Sequence, residues 1–222
     1  MSESNRTRIA ARIADLRLSA IIRTSHADSA RRAIQASVEG GFRVVEFTLT
    51  TPGALSLVSE FRKNEDLVVG AGTVLTTMQV RDSVAAGAQF IVSPVCDPDV
   101  VAEAARLDIA CIPAGYTPTE LQRAHLLGAD FIKLFPAPAG GVEFVHAVRA
   151  PLPHLRLFPT AGISVDNFID YLSAGCAGVG FVRALFDPVE IASSQFSNIK
   201  SRAELIQRRL ADWQERRSRD AN

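Results

Sequence analysis

Eight short β-rich runs alternate with helix-like segments along this chain of 222 residues, and that alternation constrains the fold more than any other feature. Strands that alternate with helices form parallel sheets, and eight βα units need only slightly more than about 200 residues. We therefore predict an α/β fold, a TIM (β/α)8 barrel, as a single domain over residues 1–222. An open doubly wound sheet is the alternative. The runs are Ser19–Arg23, Val44–Thr48, Leu67–Gly70, Phe90–Ser93, Ala110–Ile112, Phe131–Phe135, Leu155–Pro159 and Gly178–Phe181.

The helical segments carry start and stop signals. Glycine follows the first of them at Gly40-Gly41, and Thr117-Pro118 is typical of a helix start. Three small-residue turns, AGA at 86–88, LGA at 127–129 and AGC at 174–176, lead from a helix directly into a run and form a structural repeat. The predicted helices between the runs include Ser29–Gly40, Thr76–Ala86, Asp97–Leu107, Pro118–Leu127 and Val165–Ala174.

Flanking helices are predicted at both ends of the barrel. Ile9, Ile13 and Leu16 have helical spacing, and the same spacing recurs at Ile206, Leu210 and Trp213. The charged residues after Trp213 are expected to fray.

Composition excludes several classes of function. Lysine plus arginine (24) equals aspartate plus glutamate (24), so charge gives no reason to expect nucleic acid or an anionic membrane as a partner. The N-terminus has no apolar core of a signal peptide, and no apolar stretch approaches the roughly 20 residues that span a bilayer. Three widely spaced cysteines indicate reduced thiols in a cytoplasm. The four histidines form no dense ligand cluster, and we predict no metal.

Two charges interrupt apolar runs. Lys133 shares one face of its run with Phe131 and Phe135, so it points into the barrel if its neighbours pack under helices. Burial lowers the pKa of a lysine, and a neutral amine can attack a ketone. Glu46 interrupts the second run and shares a face with Thr48. An acid/base is what Schiff-base chemistry needs, but a structural Glu46–Lys133 ion pair, or a lysine that reaches solvent at the end of its strand, is also compatible with the pattern.

Two further features are suited to an anion. Arg23 ends the first run, where an arginine can hold a carboxylate bidentately or simply reach solvent. The third run leads into GAGTVL at 70–75, whose glycines allow close backbone approach. This stretch is not a dinucleotide fingerprint, because Leu75 stands where GxGxxG has its third glycine.

Taken together, the chain resembles the 2-keto-3-deoxy-6-phosphogluconate and 2-keto-4-hydroxyglutarate aldolases, which include the phosphogalactonate enzymes. The resemblance implies a lyase of carbohydrate metabolism that uses no cofactor, assembles as a homotrimer and cleaves a 2-keto acid reversibly to pyruvate and an aldehyde. The matching stretches keep their order and spacing: GGFRVVEFTLTTP (40–52), VVGAGTVLT (68–76), AGAQFIVSP (86–94), YTPTEL (116–121), GADFIKLFPA (128–137) and FPTAGIS (158–164).

The resemblance also assigns roles. Lys133 is expected to be the Schiff-base lysine and Glu46 the general acid/base, acting partly through a bound water. Some relatives place a carboxylate-binding arginine four residues after the glutamate, where this chain has Thr50. Others place it at the end of the first strand, so Arg23 is expected to supply it here. The expected substrate-binding residues are Arg23, Thr48, Gly72, Thr73, Pro94, Thr117, Phe135, Thr160, Gly162 and Arg183.

The departures from the family cluster at the far end of the pocket. Relatives usually read TGGI after the seventh strand and GxGS after the eighth, where this chain reads TAGI (160–163) and GFVR (180–183). The usual PGV-type turn after the fifth strand reads PAGY (113–116). Either Arg183 replaces the lost phosphate donors, or the phosphate site is closed and the substrate is shorter or unphosphorylated. Loss of the small residues slightly favours closure.

Two other functions compete with the aldolase. One is a non-catalytic barrel that binds a small keto acid, which the altered phosphate site supports. The other is a barrel isomerase or synthase for phosphorylated sugars, which would need an intact glycine-rich site after the last two strands. The aldehyde partner, the stereochemistry at C4 and the pathway do not follow from the sequence.

Overall fold

The computed structural model describes residues 3–137 and 139–220, and in these residues helices and strands alternate as predicted. The strands are β1 Leu18–Ile22, β2 Val44–Thr48, β3 Val68–Gly72, β4 Phe90–Val92, β5 Ala110–Ile112, β6 Ala114–Gly115, β7 Ile132–Leu134, β8 Leu157–Pro159 and β9 Val179–Phe181. The helices are α1 Asn5–Leu16, α2 Ala27–Glu39, α3 Ala54–Phe61, α4 Thr77–Ala85, α5 Pro98–Arg106, α6 Pro118–Leu126, α7 Gly141–Arg149, α8 Phe168–Ser173, α9 Pro188–Ala192 and α10 Phe196–Asp220.

The strands are parallel and form two sheets, which confirms the α/β class. One sheet has the order β5-β4-β3-β2-β1-β9 and the other β6-β7-β8. The predicted fifth strand, Ala110–Ile112, is confirmed as β5, and a second short strand, β6, follows Pro113, which has no N–H to donate to a neighbour. Strand β5 pairs with β4, whereas β6 pairs with β7. Further hydrogen bonds run between the sheets, from Asp130 N to Cys111 O (3.0 Å) and from Ala177 N to Leu157 O (2.9 Å).

The repeated glycine turns have a common geometry. Gly87, Gly128 and Gly175 have φ of 92°, 90° and 89°, a region that glycine enters without a steric penalty. The N–H after each glycine donates to a carbonyl five residues back, at 2.9, 3.2 and 3.1 Å. This is a Schellman motif, which ends the helix and turns the chain into the next strand. The predicted repeat is thereby confirmed.

Alternation along the strands separates two apolar layers. Ile132 and Leu134 pack among the helices, whereas Phe131 faces the inside together with the first residues of β2, β3 and β4. The inner layer is covered at the amino ends of the strands by Ile9 and Ile13 of α1. The side of β7 that carries Lys133 therefore faces inward, as the alternation predicted.

The expectation that the tail frays after Trp213 is wrong for residues 214–220, because α10 continues to Asp220. Two side-chain contacts accompany this last part of the helix. The Arg217 guanidinium lies 5.1 Å from the centre of the Trp213 ring, and Arg219 pairs with Glu215 one turn earlier at 3.6 Å. The last two residues of the predicted tail lie outside the described residues.

Candidate active site

Two buried ionisable side chains, Glu46 and Lys133, lie on the inner face of the strands. Glu46 on β2 is 2% exposed and Lys133 on β7 is 6% exposed. Both line one internal cavity, together with Thr160 after β8. The free volume of that cavity is about 10 Å³, close to what one water molecule needs. Sequence alternation thus placed both charges on the inner face correctly.

The two side chains are neighbours without being a bonded pair. In the described part of the chain no hydrogen bond or ion pair joins Glu46 to Lys133, and Glu46 Oε1 is buried without a hydrogen-bond partner. Burial raises the pKa of Glu46, and the positive charges of Lys133 and Arg23 partly oppose this. Burial lowers the pKa of Lys133, while Glu46 raises it and Arg23 lowers it further. Both shifts favour the neutral forms, an amine and a carboxylic acid.

The Lys133 amine reaches toward the carboxyl ends of the strands. Its Nζ lies 4.7 Å from the centre of the Phe135 ring, which follows β7. The backbone N–H of Lys133 donates to Pro113 O at 2.9 Å. This hydrogen bond to the residue between β5 and β6 holds the backbone at the reactive position. A half-buried aromatic ring next to the amine excludes water from one side of it.

Glycine at position 72 leaves room for the buried side chain of Glu46. A Cβ built on Gly72 would lie 2.6 Å from Glu46 Cδ, so any larger residue would displace the Glu46 carboxyl group. The next residue, Thr73, has φ of 61°, a conformation that is rare for a β-branched side chain. Its Oγ1 accepts a hydrogen bond from Arg23 at 3.3 Å. The end of β3 therefore connects the carboxylate of Glu46 with the guanidinium at the end of β1.

The threonines at the other strand ends have different surroundings. Thr48 is buried, and its hydroxyl bonds to those of Thr50 (3.0 Å) and Thr51 (3.2 Å). Thr160 is buried beside the cavity and pairs with Gly180 of β9. Thr117 is exposed, and its hydroxyl donates to Glu120 and accepts from the Glu120 N–H in a capping box. The structure thus brings Thr160, but not Thr117, to the Lys133 cavity.

Three of the other predicted residues follow the carboxyl ends of their strands: Pro94 follows β4, Phe135 follows β7 and Gly162 follows β8. Pro94 and Phe135 line a separate cavity of about 260 Å³ with Tyr116. Gly162, with φ of 118°, accepts a hydrogen bond from Asn167 at 2.9 Å through its carbonyl. Ala161 has φ of 61°, where the first glycine of the relatives' TGGI would be unstrained.

Arg23 and Arg183 meet at a third cavity. This cavity of about 360 Å³ lies between the loop after β1 and the loop after β9. Ser25, His26 and Ser29 also line it. None of these three residues was among the predicted site residues. No sequence signal places two loops that are 160 residues apart against each other.

Neither metal ligands nor membrane spans stand out. Among residues 3–137 and 139–220, no three histidine, cysteine, aspartate or glutamate side chains form a group that could hold a metal ion. The helices in these ranges are all too short or too polar to cross a membrane. Cys96, Cys111 and Cys176 are free thiols.

Known proteins place the chain in a family. Residues 9–201 match the family model "KDPG and KHG aldolase". A 2-dehydro-3-deoxy-phosphogluconate aldolase from Treponema pallidum is 33% identical over 190 residues, which cover 83% of this chain and 89% of that protein. The KDPG aldolase of Legionella pneumophila, in which pyruvate was captured as a covalent carbinolamine, has a TM-score of 0.81 and 29% identity over 89% of this chain and 97% of its own.

A second similar structure is a designed protein cage. A cube-shaped protein cage made by fusing symmetric oligomeric domains has a TM-score of 0.75 and 29% identity over 92% of this chain and 78% of its own. The family match spans most of the chain, and the matched range contains the predicted lysine and glutamate. The chain belongs to the KDPG and KHG aldolase family.

Proposed function

We propose that this chain is a class I aldolase that reversibly cleaves a 2-keto-3-deoxy sugar acid or a 2-keto-4-hydroxy acid to pyruvate and an aldehyde. One observation carries the proposal: Lys133 and Glu46 are buried in one cavity without bonding to each other. A purely structural ion pair would be joined directly, because an unpaired buried charge is costly. Two unbonded groups with pKa values shifted toward their neutral forms are instead suited to exchange protons with a substrate.

Lys133 is the proposed nucleophile. Its Nζ lone pair attacks the ketone carbon, and the ketone oxygen takes a proton to give a carbinolamine. Loss of water then leaves an iminium ion. A base removes the C4 hydroxyl proton, the C3–C4 bond breaks, and its electrons move to the iminium nitrogen as the aldehyde leaves. Protonation of the enamine at C3 and addition of water release pyruvate and restore the amine.

Glu46 is the proposed proton carrier. Burial favours its protonated form, so it can give a proton to the leaving hydroxyl of the carbinolamine and take one back in cleavage. Oε1 lacks a partner and abuts Gly72, at the end of β3 where the substrate carboxylate is expected. A water in the small cavity can relay the proton where direct contact is too long.

Arg23, Thr73 and the Gly72 backbone are the proposed holders of the pyruvate carboxylate. The 3.3 Å hydrogen bond from Arg23 to Thr73 orients the guanidinium across the strand ends. The polar side of the proposed substrate pocket is completed by Thr160 and Thr48, and its apolar side is formed by Pro94 and Phe135. Thr117, Gly162 and Arg183 stay predicted substrate contacts of the outer pocket.

Borohydride trapping tests the function. Incubation with pyruvate and borohydride should add one reduced pyruvate unit, seen by intact mass, and peptide mapping should place it on Lys133. The map is simple, because Lys63 and Lys200 are the other lysines of the chain. If the folded protein gives no adduct while the borohydride is active, the chain is better described as a binding barrel without the reaction.

A homotrimer is the proposed assembly. Exposed apolar side chains follow consecutive strands at one end of the sheet: Leu75 (43% exposed), Met78 (67%), Val95 (49%) and Tyr116 (39%). Apolar residues gathered on one face are typical of an interface. Light scattering after size exclusion should give three times the chain mass of 23.9 kDa. A monomeric mass at micromolar concentration would contradict the trimer.

The proposed architecture is a single domain with a closed barrel. The parallel bridge between Thr160 and Gly180 and the bonds from Lys133 N and Asp130 N support a ring in which β9 follows β8 and β7 follows β5. A cytoplasmic location stays a prediction, supported by three free thiols.

A further inference from the structure

Two exposed histidine rings come together at the amino ends of the strands. His125 lies in the last turn of α6, shortly before β7, and His154 lies in the turn between α7 and β8. Their ring centres are 4.7 Å apart, with 55° between the ring planes. Both residues are exposed, so their ring nitrogens can be reached by a ligand from solvent.

The side-chain amide of Gln122 lies against the same pair. Gln122 precedes His125 by one helical turn, so the two side chains share a face of α6. Its Oε1 is 2.9 Å from Nε2 of His154. We call Gln122, His125 and His154 the histidine cluster. It joins α6 to the turn before β8, and sequence spacing does not signal it, because the two histidines belong to different βα units.

The spacing within the histidine cluster matches that of ligands around one metal ion. Zinc–nitrogen distances of about 2.0–2.1 Å place the centres of two bound imidazole rings roughly 4.5–5.2 Å apart, for bond angles between a right angle and the tetrahedral angle. The 4.7 Å between the two rings lies in this range. Ligand atoms at a right angle on such an ion are roughly 3 Å apart, and the 2.9 Å between Gln122 Oε1 and His154 Nε2 is close to this value. Small rotations of these surface side chains would therefore suffice to bind an ion.

We propose that the histidine cluster binds one divalent transition-metal ion of the zinc class, with two imidazole nitrogens, the Gln122 amide oxygen and water as ligands. Imidazole suits Zn²⁺, Ni²⁺ and Cu²⁺, whereas Mg²⁺ and Ca²⁺ prefer oxygen ligands. Structural zinc sites have four strong protein ligands. The cluster has two histidines and an amide, so its ion is an exchangeable one.

The metal site is independent of the proposed reaction. The cluster lies at the amino ends of the strands, whereas the Lys133 amine lies beside Phe135, which follows the carboxyl end of β7. A bound ion would instead fasten the turn before β8 to α6. An ion that binds the folded chain in preference to the unfolded one stabilises the fold by mass action. At a Zn²⁺ concentration about tenfold above its Kd, the melting temperature should rise by about 4 °C.

Isothermal titration calorimetry with Zn²⁺ on metal-free protein at neutral pH tests the site. The wild type should bind one Zn²⁺ per chain at the cluster, and Mg²⁺ should give no binding heat, because imidazole is a poor ligand for it. His125→Asn and His154→Asn should each weaken Zn²⁺ binding by at least about 10-fold and remove the rise in melting temperature. Gln122→Ala should weaken binding by about 2- to 5-fold, since water can replace the amide oxygen.

His146→Asn is the matched control, because His146 is an exposed histidine on the neighbouring helix α7. This variant should bind Zn²⁺ as the wild type does. Unchanged Zn²⁺ affinity in either His125→Asn or His154→Asn would overturn the site, since the ion would not be shared by the two rings. A wild type that binds no Zn²⁺ would overturn it as well. Pyruvate trapping on Lys133, measured without added metal, reports on the aldolase separately from both outcomes.

Discussion

Replacing Lys133 with methionine should abolish the pyruvate adduct and lower kcat for aldol cleavage by at least about 10⁴-fold, because the nucleophile is lost. Methionine has nearly the length of lysine and no charge. It fits an inner layer that already contains Phe131, Phe158 and Val92. The fold should therefore persist, and a far-UV circular dichroism spectrum like that of the wild type checks this.

The same substitution should change how stability depends on pH. The pKa of Lys133 is lower in the folded protein than in the unfolded chain, so the folded state binds fewer protons between the two values. The stability linked to this group is present above the unfolded pKa, near 10.5, and is lost as pH falls through the folded value. In urea denaturation, Lys133→Met should therefore gain stability over the wild type as pH falls from about 10.5 toward neutrality.

Lys63→Met is the control for Lys133→Met. Lys63 is exposed after α3 and lies far from the inner layer, and its variant should keep kcat within about 2-fold of the wild type. Residual cleavage above about 1% of the wild-type rate in Lys133→Met, with an adduct mapped elsewhere, would assign the imine to another amine.

The sequence predicted the buried pair of Glu46 and Lys133 but not the cavity between the loops after β1 and β9. Alternation within VVEFT and FIKLF places Glu46 and Lys133 inward, because each strand has only two faces. The two-residue strand β6 was not predicted, because the expected fifth strand ended at Ile112, before Pro113. Strand positions of Glu46 and Lys133 are local properties, whereas the meeting of Arg23 with Arg183 depends on how the first and last strands pair.

The strained positions were also beyond prediction. Thr73 and Ala161 both have φ of 61°, which no local pattern of side chains signals. Glycine at such a position predicts a turn. Because neither residue is a glycine, these two turns were not predicted. Both residues lie at the carboxyl ends of strands. Backbone strain is common at active sites, where the surrounding structure holds it in place.

Glu46→Gln should lower kcat by roughly 10³-fold, the range expected when a general acid/base is removed. Glutamine has the size of glutamate, so it can keep the position against Gly72, but it cannot carry a proton between steps. The Lys133 adduct should still form, at a reduced rate, because the nucleophile is intact. Single-turnover trapping and steady-state cleavage separate these two effects. Glu65→Gln, at an exposed position before β3, should leave both within about 2-fold.

The pH dependence of the Glu46 variant tests the electrostatic coupling directly. Burial raises the pKa of Glu46, so its contribution to stability is present below the unfolded value of about 4.5 and is lost as pH rises through the folded value. Glu46→Gln should therefore be more stable than the wild type at pH values above the folded pKa.

The same carboxylate raises the pKa of Lys133, and its removal should lower that pKa and shift the pH profile of imine formation to more acidic values. An unchanged profile would show that the two groups do not interact. The case for Glu46 as the proton carrier of the Lys133 imine would then fail, even if kcat fell.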